Sequence, residues 1–255
     1  MWCDATNYFE KHDSTNAKLL VQSIVELEAD IKCFQELYNK DDVLAFRVIK
    51  KLREKNPYYT YVHATQGNDK GQGEIGLAIF SKYPILNKKE LYWKPNHNGL
   101  LEVDILVGND TLRMINVQLK SMGIRVEKVI DNADNKQAVE REASNIFRQL
   151  REGFNVRAEQ TKILETWILE SQKPTIVVGD FNELPYGYAY GRVRKHLKNA
   201  FEEAGNGFGF TYNKLPNFLR IDNQFYGKGL IINKLATLTS YPYSDHYPVF
   251  GEYYY

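Results

Sequence analysis

The chain has 255 residues, 43% of them hydrophobic and 25% charged, and a formal net charge of +1. That length can bury a large core and suits one α/β domain spanning residues 1–255. The composition excludes a disordered or collagen-like chain. The near-zero charge supplies no bulk field that would draw the protein onto nucleic acid or an anionic membrane, so any polyanion site must be local.

The two cysteines, Cys3 and Cys33, are too few for a disulfide framework. No run is long enough for a transmembrane helix, and the N-terminus lacks the basic and then apolar pattern of a signal peptide. From Asp13 to Ala29, apolar residues at Ala17, Leu20, Val21, Ile24 and Val25 recur at helical spacing behind the caps Asp13, Ser14 and Thr15. A strand is expected over Ile31-Lys-Cys-Phe-Gln-Glu36, which puts Glu36 at its C-terminal edge. A second helix is expected over residues 41 to 55, closed by Pro57.

Tyr58 to His63 alternates as a strand, and residues 66 to 73 read as a polar loop. The strand beginning at Gly76 breaks at Ser81 and Pro84. A hairpin follows, Leu100 to Val107 and Thr111 to Leu119 about a Gly108-Asn-Asp110 turn. Residues 126 to 152 are highly charged with weak periodicity, which suggests a helical excursion or a cap. A firmer helix is expected from Arg157 to Ser171, with Ile163, Leu164, Trp167 and Ile168 as its buried stripe.

That helix feeds Pro174-Thr-Ile-Val-Val-Gly-Asp-Phe-Asn-Glu-Leu-Pro185, a short β-branched run ending in Gly179, Asp180 and Asn182. Such a run reads as a strand buried on both faces, and its polar end falls where layered α/β proteins usually bind ligands. Asp180 and Asn182 together can hold a water and a phosphoryl oxygen. Taken alone, the pair reads equally well as a turn bonded to its own backbone. After Pro185 come an aromatic, Gly-rich loop, Tyr186 to Gly191, and a basic segment with Arg192, Arg194, Lys195 and Lys198. This stretch is expected to pack into the core with a solvated flank rather than to stack a ligand. His12, His63, His97 and His196 stand in no chemical constellation and read as ordinary surface or core residues.

Phe34-Gln-Glu36, Gly76-Leu-Ala-Ile-Phe-Ser-Lys-Tyr-Pro-Ile85, Gly179-Asp-Phe-Asn182, Arg220-Ile-Asp222 and Ser244-Asp-His246 occur in one order along nearly the whole chain. Together they resemble the endonuclease/exonuclease/phosphatase superfamily. That resemblance implies a four-layered α/β/β/α sandwich with two central mixed sheets and a Mg²⁺-dependent phosphoesterase site, with Mn²⁺ as an alternative ion. It also implies roles. Glu36 would bind the metal, with Asp245 as a second metal contact. Asp180 would orient or activate the attacking water, and Asn182 would hold a phosphate oxygen. His246 would act as general base or as a charge-stabilising imidazolium, fixed by Asp222. Asn116 and Gln118 would face the substrate.

The chemistry agrees independently. Phosphate-ester cleavage needs a cation on the non-bridging oxygens, a base near neutral pH, and donors for the developing charge. Arg157 and Gln160 open the helix before the Asp180 strand, where a salt bridge and a substrate contact are both open readings.

Two places depart from the family pattern. Members open with a strand ending in a metal-neighbouring Asn, whereas this sequence starts at Met1-Trp2-Cys3 and its nearest Asn is Asn7. The expectation is that the first strand, and any signal or anchor before it, is missing. Second, Asn116-Val-Gln-Leu119 carries Gln118 where hydrolytic relatives usually show His. Gln118 can donate through its amide but carries neither a proton nor a charge.

The leading expectation is hydrolysis of a phosphate ester by in-line water attack. Nucleic acid, a phospholipid head group or a small phosphorylated metabolite is the substrate, and the neutral charge argues against a nonspecific nuclease. The competing expectation is a binding or structural member impaired in turnover. A monomer is expected, and no compartment is assigned.

Overall fold

The computed structural model describes residues 14–63, 73–93, 98–121, 136–214 and 218–255. In chain order it contains α1 (Ser14–Glu26), β1 (Ile31–Asn39), a 3₁₀ turn (Leu44–Phe46), α2 (Val48–Arg53), β2 (Tyr58–His63) and β3 (Glu74–Ser81). There follow β4 (Ile85–Trp93), β5 (Asn98–Val107), β6 (Asp110–Gln118), α3 (Lys136–Glu170), β7 (Thr175–Asp180) and α4 (Tyr188–Arg194). The chain closes with β8 (Lys198–Asn199), α5 (Ala200–Ala204), β9 (Asp222–Tyr226), β10 (Ile231–Thr237) and β11 (Val249–Tyr254).

Side-chain alternation along the strands builds the layers. In the six-stranded sheet, of order β4-β5-β6-β7-β9-β8, Leu101, Val103, Ile105, Leu112, Met114, Ile176 and Tyr226 project toward the opposite sheet. Their neighbours Leu100, Ile115, Val117, Val177 and Phe225 project the other way, onto Leu164, Trp167 and Ile168 of α3 and Tyr190 of α4. The three-stranded sheet, of order β1-β3-β2, repeats the device. Leu77 and Ile79 face inward, while Ala78 and Phe80 pack on Leu20, Val21 and Ile24 of α1 and Val48 and Leu52 of α2. A period of two gives each central sheet two apolar faces, and helices cover the outer ones. Each fully buried Leu, Ile or Phe contributes roughly 1.5–3 kcal/mol to holding the layers together.

The expected four-layered sandwich is therefore the observed architecture. The six-stranded sheet is mixed, with β6 and β7 parallel and its other pairs antiparallel. The facing layer is antiparallel in its described strands. Beside it, the antiparallel β10–β11 ribbon packs on the same inter-sheet core through Leu235, Val249 and Tyr253. Residues of β1 and β11 line a common cavity of about 530 Å³.

Of the charged stretch, residues 126–135 lie outside the described residues and 136–152 are helical, as one of the two expectations had it, within α3, a single helix of 35 residues that also includes the expected helix from Arg157. Several local expectations change. β4 was not anticipated. It is an edge strand paired with β5 and largely exposed, so its sequence Ile-Leu-Asn-Lys-Lys-Glu-Leu-Tyr-Trp shows no apolar alternation. The helix expected over 41–55 is a 3₁₀ turn followed by the short α2. The aromatic stretch is not a loop throughout: Tyr188–Arg194 is helical and buries Ala189, Tyr190 and Val193. In the basic segment Arg192 pairs with Glu165, Arg194 with Glu202 and Lys198 with Glu203. Residues 1–13, with Asn7 and His12, lie outside the described residues, as do most of the expected 66–73 loop and His97.

Candidate active site

The parallel pair β6 and β7 ends at one edge of the mixed sheet, and the antiparallel β9 starts there. Gln118 is therefore in register with Asp180, and Asp180 with Asp222. All three lie on the face that carries Met114, Ile176 and Tyr226, and so turn toward the opposite sheet. From that sheet β1 brings Glu36. The pairing of β1 with β3 shifts register between Phe34 and Leu37, and Glu36 within this bulge has φ 51°. A bulge re-aims a side chain that a regular strand would direct elsewhere.

Asn182, just past β7, has φ 49°, and Gly179 has φ 144°. A Cβ on Gly179 would lie 1.9 Å from the Val117 carbonyl oxygen, so only glycine lets β7 approach β6 here. Three unusual backbone positions thus fall at one sheet edge, the pattern expected where structure is held for function.

The side chains form two linked groups. In the first, Gln118 Nε2 donates to Glu36 Oε1 at 2.6 Å, while the buried Gln118 Oε1 has no hydrogen-bond partner among the described residues. In the second, His246 Nδ1 lies 2.7 Å from Asp222 Oδ2. Asp222 is itself steadied by Thr211, whose Oγ1 accepts the Asp222 backbone N–H at 3.1 Å. The Tyr212 ring meets the imidazole edge-on, with centroids 5.3 Å apart.

Burial alone would lower the His246 pKa, but the Asp222 charge and hydrogen bond, with Asp180 and Asp245 beyond, outweigh it and raise it to about 10. Burial likewise works against the Asp222 carboxylate, yet the His246 charge keeps its pKa below the usual range. For Asp180 the balance falls the other way: burial and the repulsion of Asp222 raise its pKa despite His246, and Glu36 adds to the effect. Asp180 therefore feels the charges of Glu36, Asp222 and His246 together.

A model of the Endonuclease/Exonuclease/phosphatase family matches residues 7–246. This chain belongs to that family. No curated protein sequence matches the chain. Among solved structures, a family protein from Leptotrichia buccalis C-1013-b is similar at TM-score 0.64 and 15% identity, covering 100% of this chain and 98% of its own. A mannosyl-6-phosphatase from Bacteroides thetaiotaomicron VPI-5482 gives 0.65 and 16%, covering 98% and 95%. Beta toxin from Staphylococcus aureus gives 0.63 and 17%, covering 97% and 95%. At such identities the likeness establishes the fold.

Within this family frame the expected site residues fare differently. Glu36, Gln118, Asp180, Asp222 and His246 come together. Asn182 adjoins them, but both hydrogens of its amide are engaged, on Asp180 Oδ2 at 2.6 Å and the Leu119 carbonyl at 3.0 Å. Its backbone N–H also bonds Asp180 Oδ1 at 2.8 Å, so the turn reading of Asp180 and Asn182 is realised beside the site reading. As placed, Asn182 orients Asp180 rather than offering a free donor to phosphate.

Asn116 does not face a substrate. Its fully buried amide donates to the carbonyls of Phe34 at 2.8 Å and Ala78 at 3.1 Å and accepts from Gln35, so it braces one sheet against the other. Asp245 accepts a bond from Ser244 Oγ at 3.3 Å, and its charge acts on His246. Among the described residues, no three of His, Cys, Asp and Glu assemble as metal ligands, so Asp245 and Glu36 do not share such a cage.

Arg157 and Gln160 resolve as structural: Arg157 Nη1 donates to the Lys120 carbonyl and Gln160 Oε1 accepts the Lys120 N–H, fixing the exit of β6. Arg157 also lies 3.6 Å from the buried Glu183. Of the other histidines, His63 pairs with Glu74 and His196 with Glu165. Thr211 was not foreseen, since a single Thr outside any strand run gives no signal in sequence.

Enzymes of this family are generally dependent on divalent metals. The donors here fit such an ion. Mg²⁺ takes hard oxygens, with one or two carboxylates and several waters. Glu36 offers a carboxylate, and the orphaned buried oxygen of Gln118 lies on the amide bonded to it.

Proposed function

We propose that this chain is a Mg²⁺-dependent phosphoesterase that cleaves a phosphate ester by in-line attack of water. The observation that carries the reading is the meeting, at one edge, of Glu36 from one sheet with Asp180, Asp222 and His246 around the other. Members of the family are phosphoesterases, nucleases or phosphatases, and this constellation supplies the parts such chemistry needs. A divalent cation at Glu36 would neutralise non-bridging phosphate oxygens.

The protein's own groups supply the rest. Asp222 holds His246 by Nδ1, which leaves Nε2 as the nitrogen for substrate. Of the two roles open to His246, the raised pKa favours the charged one, an imidazolium donating to the phosphoryl group as negative charge grows. Asp180, oriented by Asn182, then receives the proton of the attacking water once it is ionised.

The net charge of +1 supports a small phosphorylated metabolite or a phospholipid head group over nonspecific cleavage of nucleic acid. The test is hydrolysis of a bis-aryl phosphate with Mg²⁺ or Mn²⁺ by the wild type, His246→Ala and Glu36→Ala. Each substitution is expected to lower kcat by roughly two to four orders of magnitude. Activity that survives both substitutions unchanged would remove the reading.

A further inference from the structure

We propose that Gln118 is a ligand of the divalent cation, its amide oxygen completing with the Glu36 carboxylate the donor set that Glu36 alone leaves short. The proposal rests on the functional reading above and gives Gln118 a role opposite to phosphate donation. The orientation of the amide is fixed by its partner. Nε2 lies 2.6 Å from a Glu36 oxygen, and exchanging N and O would set two oxygens against each other at that distance. Oε1 must therefore point away from that contact.

The oxygen is also orphaned among the described residues. Gln118 is 2% exposed, and none of them bonds its Oε1. An unpaired buried carbonyl costs about 1–3 kcal/mol, so an oxygen with no partner among the described residues gains by binding an ion. The same amide is bonded to the Glu36 carboxylate, and Asp180 lies in register on the next strand. A carbonyl oxygen beside that carboxylate is a hard donor suited to a cation rather than to a phosphate oxygen. No three acidic or imidazole side chains among the described residues assemble as ligands, so a neutral amide oxygen supplies what the carboxylates do not.

The test measures Mn²⁺ affinity without substrate, by calorimetry and by the electron paramagnetic resonance signal of free Mn²⁺. The proteins compared are the wild type, Gln118→Leu, Gln118→Glu and Glu36→Ala. Gln118→Leu is expected to weaken Mn²⁺ binding about tenfold or more, while its metal-free thermal midpoint stays at or above wild type because the orphan is gone. Gln118→Glu is expected to lower the metal-free midpoint through repulsion with Glu36 and to bind Mn²⁺ more tightly.

Wild-type affinity in Gln118→Leu, with binding lost in Glu36→Ala, would overturn the proposal and leave the site standing. Wild-type affinity in both variants, or no binding by the wild type, would overturn the site as well. Should Gln118→Leu not fold, Gln118→Glu decides: tighter Mn²⁺ binding supports the proposal, and unchanged binding refutes it.

Discussion

Asp222 holds His246 by one ring nitrogen and keeps it charged against the burial that would discharge it. Replacing it by Asn preserves the shape but removes the charge and allows the wrong tautomer. Asp222→Asn is therefore expected to lower kcat by about two to four orders of magnitude with a small change in KM, read from steady-state hydrolysis of an aryl phosphate. An unchanged kcat would show that the pair is only structural. Gly179 makes a second residue-scale case. Its φ of 144° and the 1.9 Å approach of a Cβ to the Val117 carbonyl leave no room for alanine, so Gly179→Ala should destabilise the fold by more than about 2 kcal/mol in urea unfolding.

At this scale the sequence was informative where chemistry follows strand ends, at Asp180 and Asp222, whereas Glu36, expected at the C-terminal edge of its strand, sits at a bulge inside β1, which runs on to Asn39. It was silent on which hydrogens were already engaged. Asn116 and Asn182 have the composition of phosphate donors, but their amides serve the sheets and the Asp180 turn, a fact set by neighbours distant in sequence.

Among elements, the strands that deliver the site were legible because buried runs such as Thr175–Asp180 carry β-branched residues and stop at polar ones. The strand that escaped notice, β4, makes few buried contacts. β4 exposes Leu86 and most of its lysines and exists through its pairing with β5, so no pattern of its own announces it. The first half of α3, charged and weakly periodic, left a helical excursion and a cap both open in sequence, and it continues into the helix whose apolar stripe starts later.

The outer face of the mixed sheet carries a further device. Asp104 of β5 bonds Arg113 of β6 at 3.0 Å and also Lys173, just before β7. Burial would raise the Asp104 pKa, but the bonds to Arg113 and Lys173 outweigh it and hold it below the usual carboxylate range. A depressed folded-state pKa contributes stability above the unfolded value of about 3.9 and loses it as pH falls through the folded one. The stability gap between wild type and Asp104→Asn, measured by urea unfolding, should therefore be constant near neutrality and close in strong acid. A gap independent of pH would exclude this origin.

For the whole molecule, the four layers matter because the site straddles the seam between the two sheets. Glu36 arrives from one sheet and Gln118, Asp180 and Asp222 from the other, and the Asn116 bonds across the gap keep the two in step. The order of short motifs along the chain conveyed this convergence through the family resemblance, although Asp180 ends β7, Asp222 opens β9 and Glu36 lies within β1. The bulge that turns Glu36 inward and the orphaned Gln118 oxygen were not readable, because both depend on backbone geometry rather than residue type.

The most direct test is anomalous diffraction from crystals of the protein grown with Mn²⁺ and inorganic phosphate. The account predicts a Mn²⁺ peak on the Glu36 carboxylate and a phosphate bridging that ion to His246. Mn²⁺ bound elsewhere, with Glu36 and His246 contacting neither ion, would contradict it.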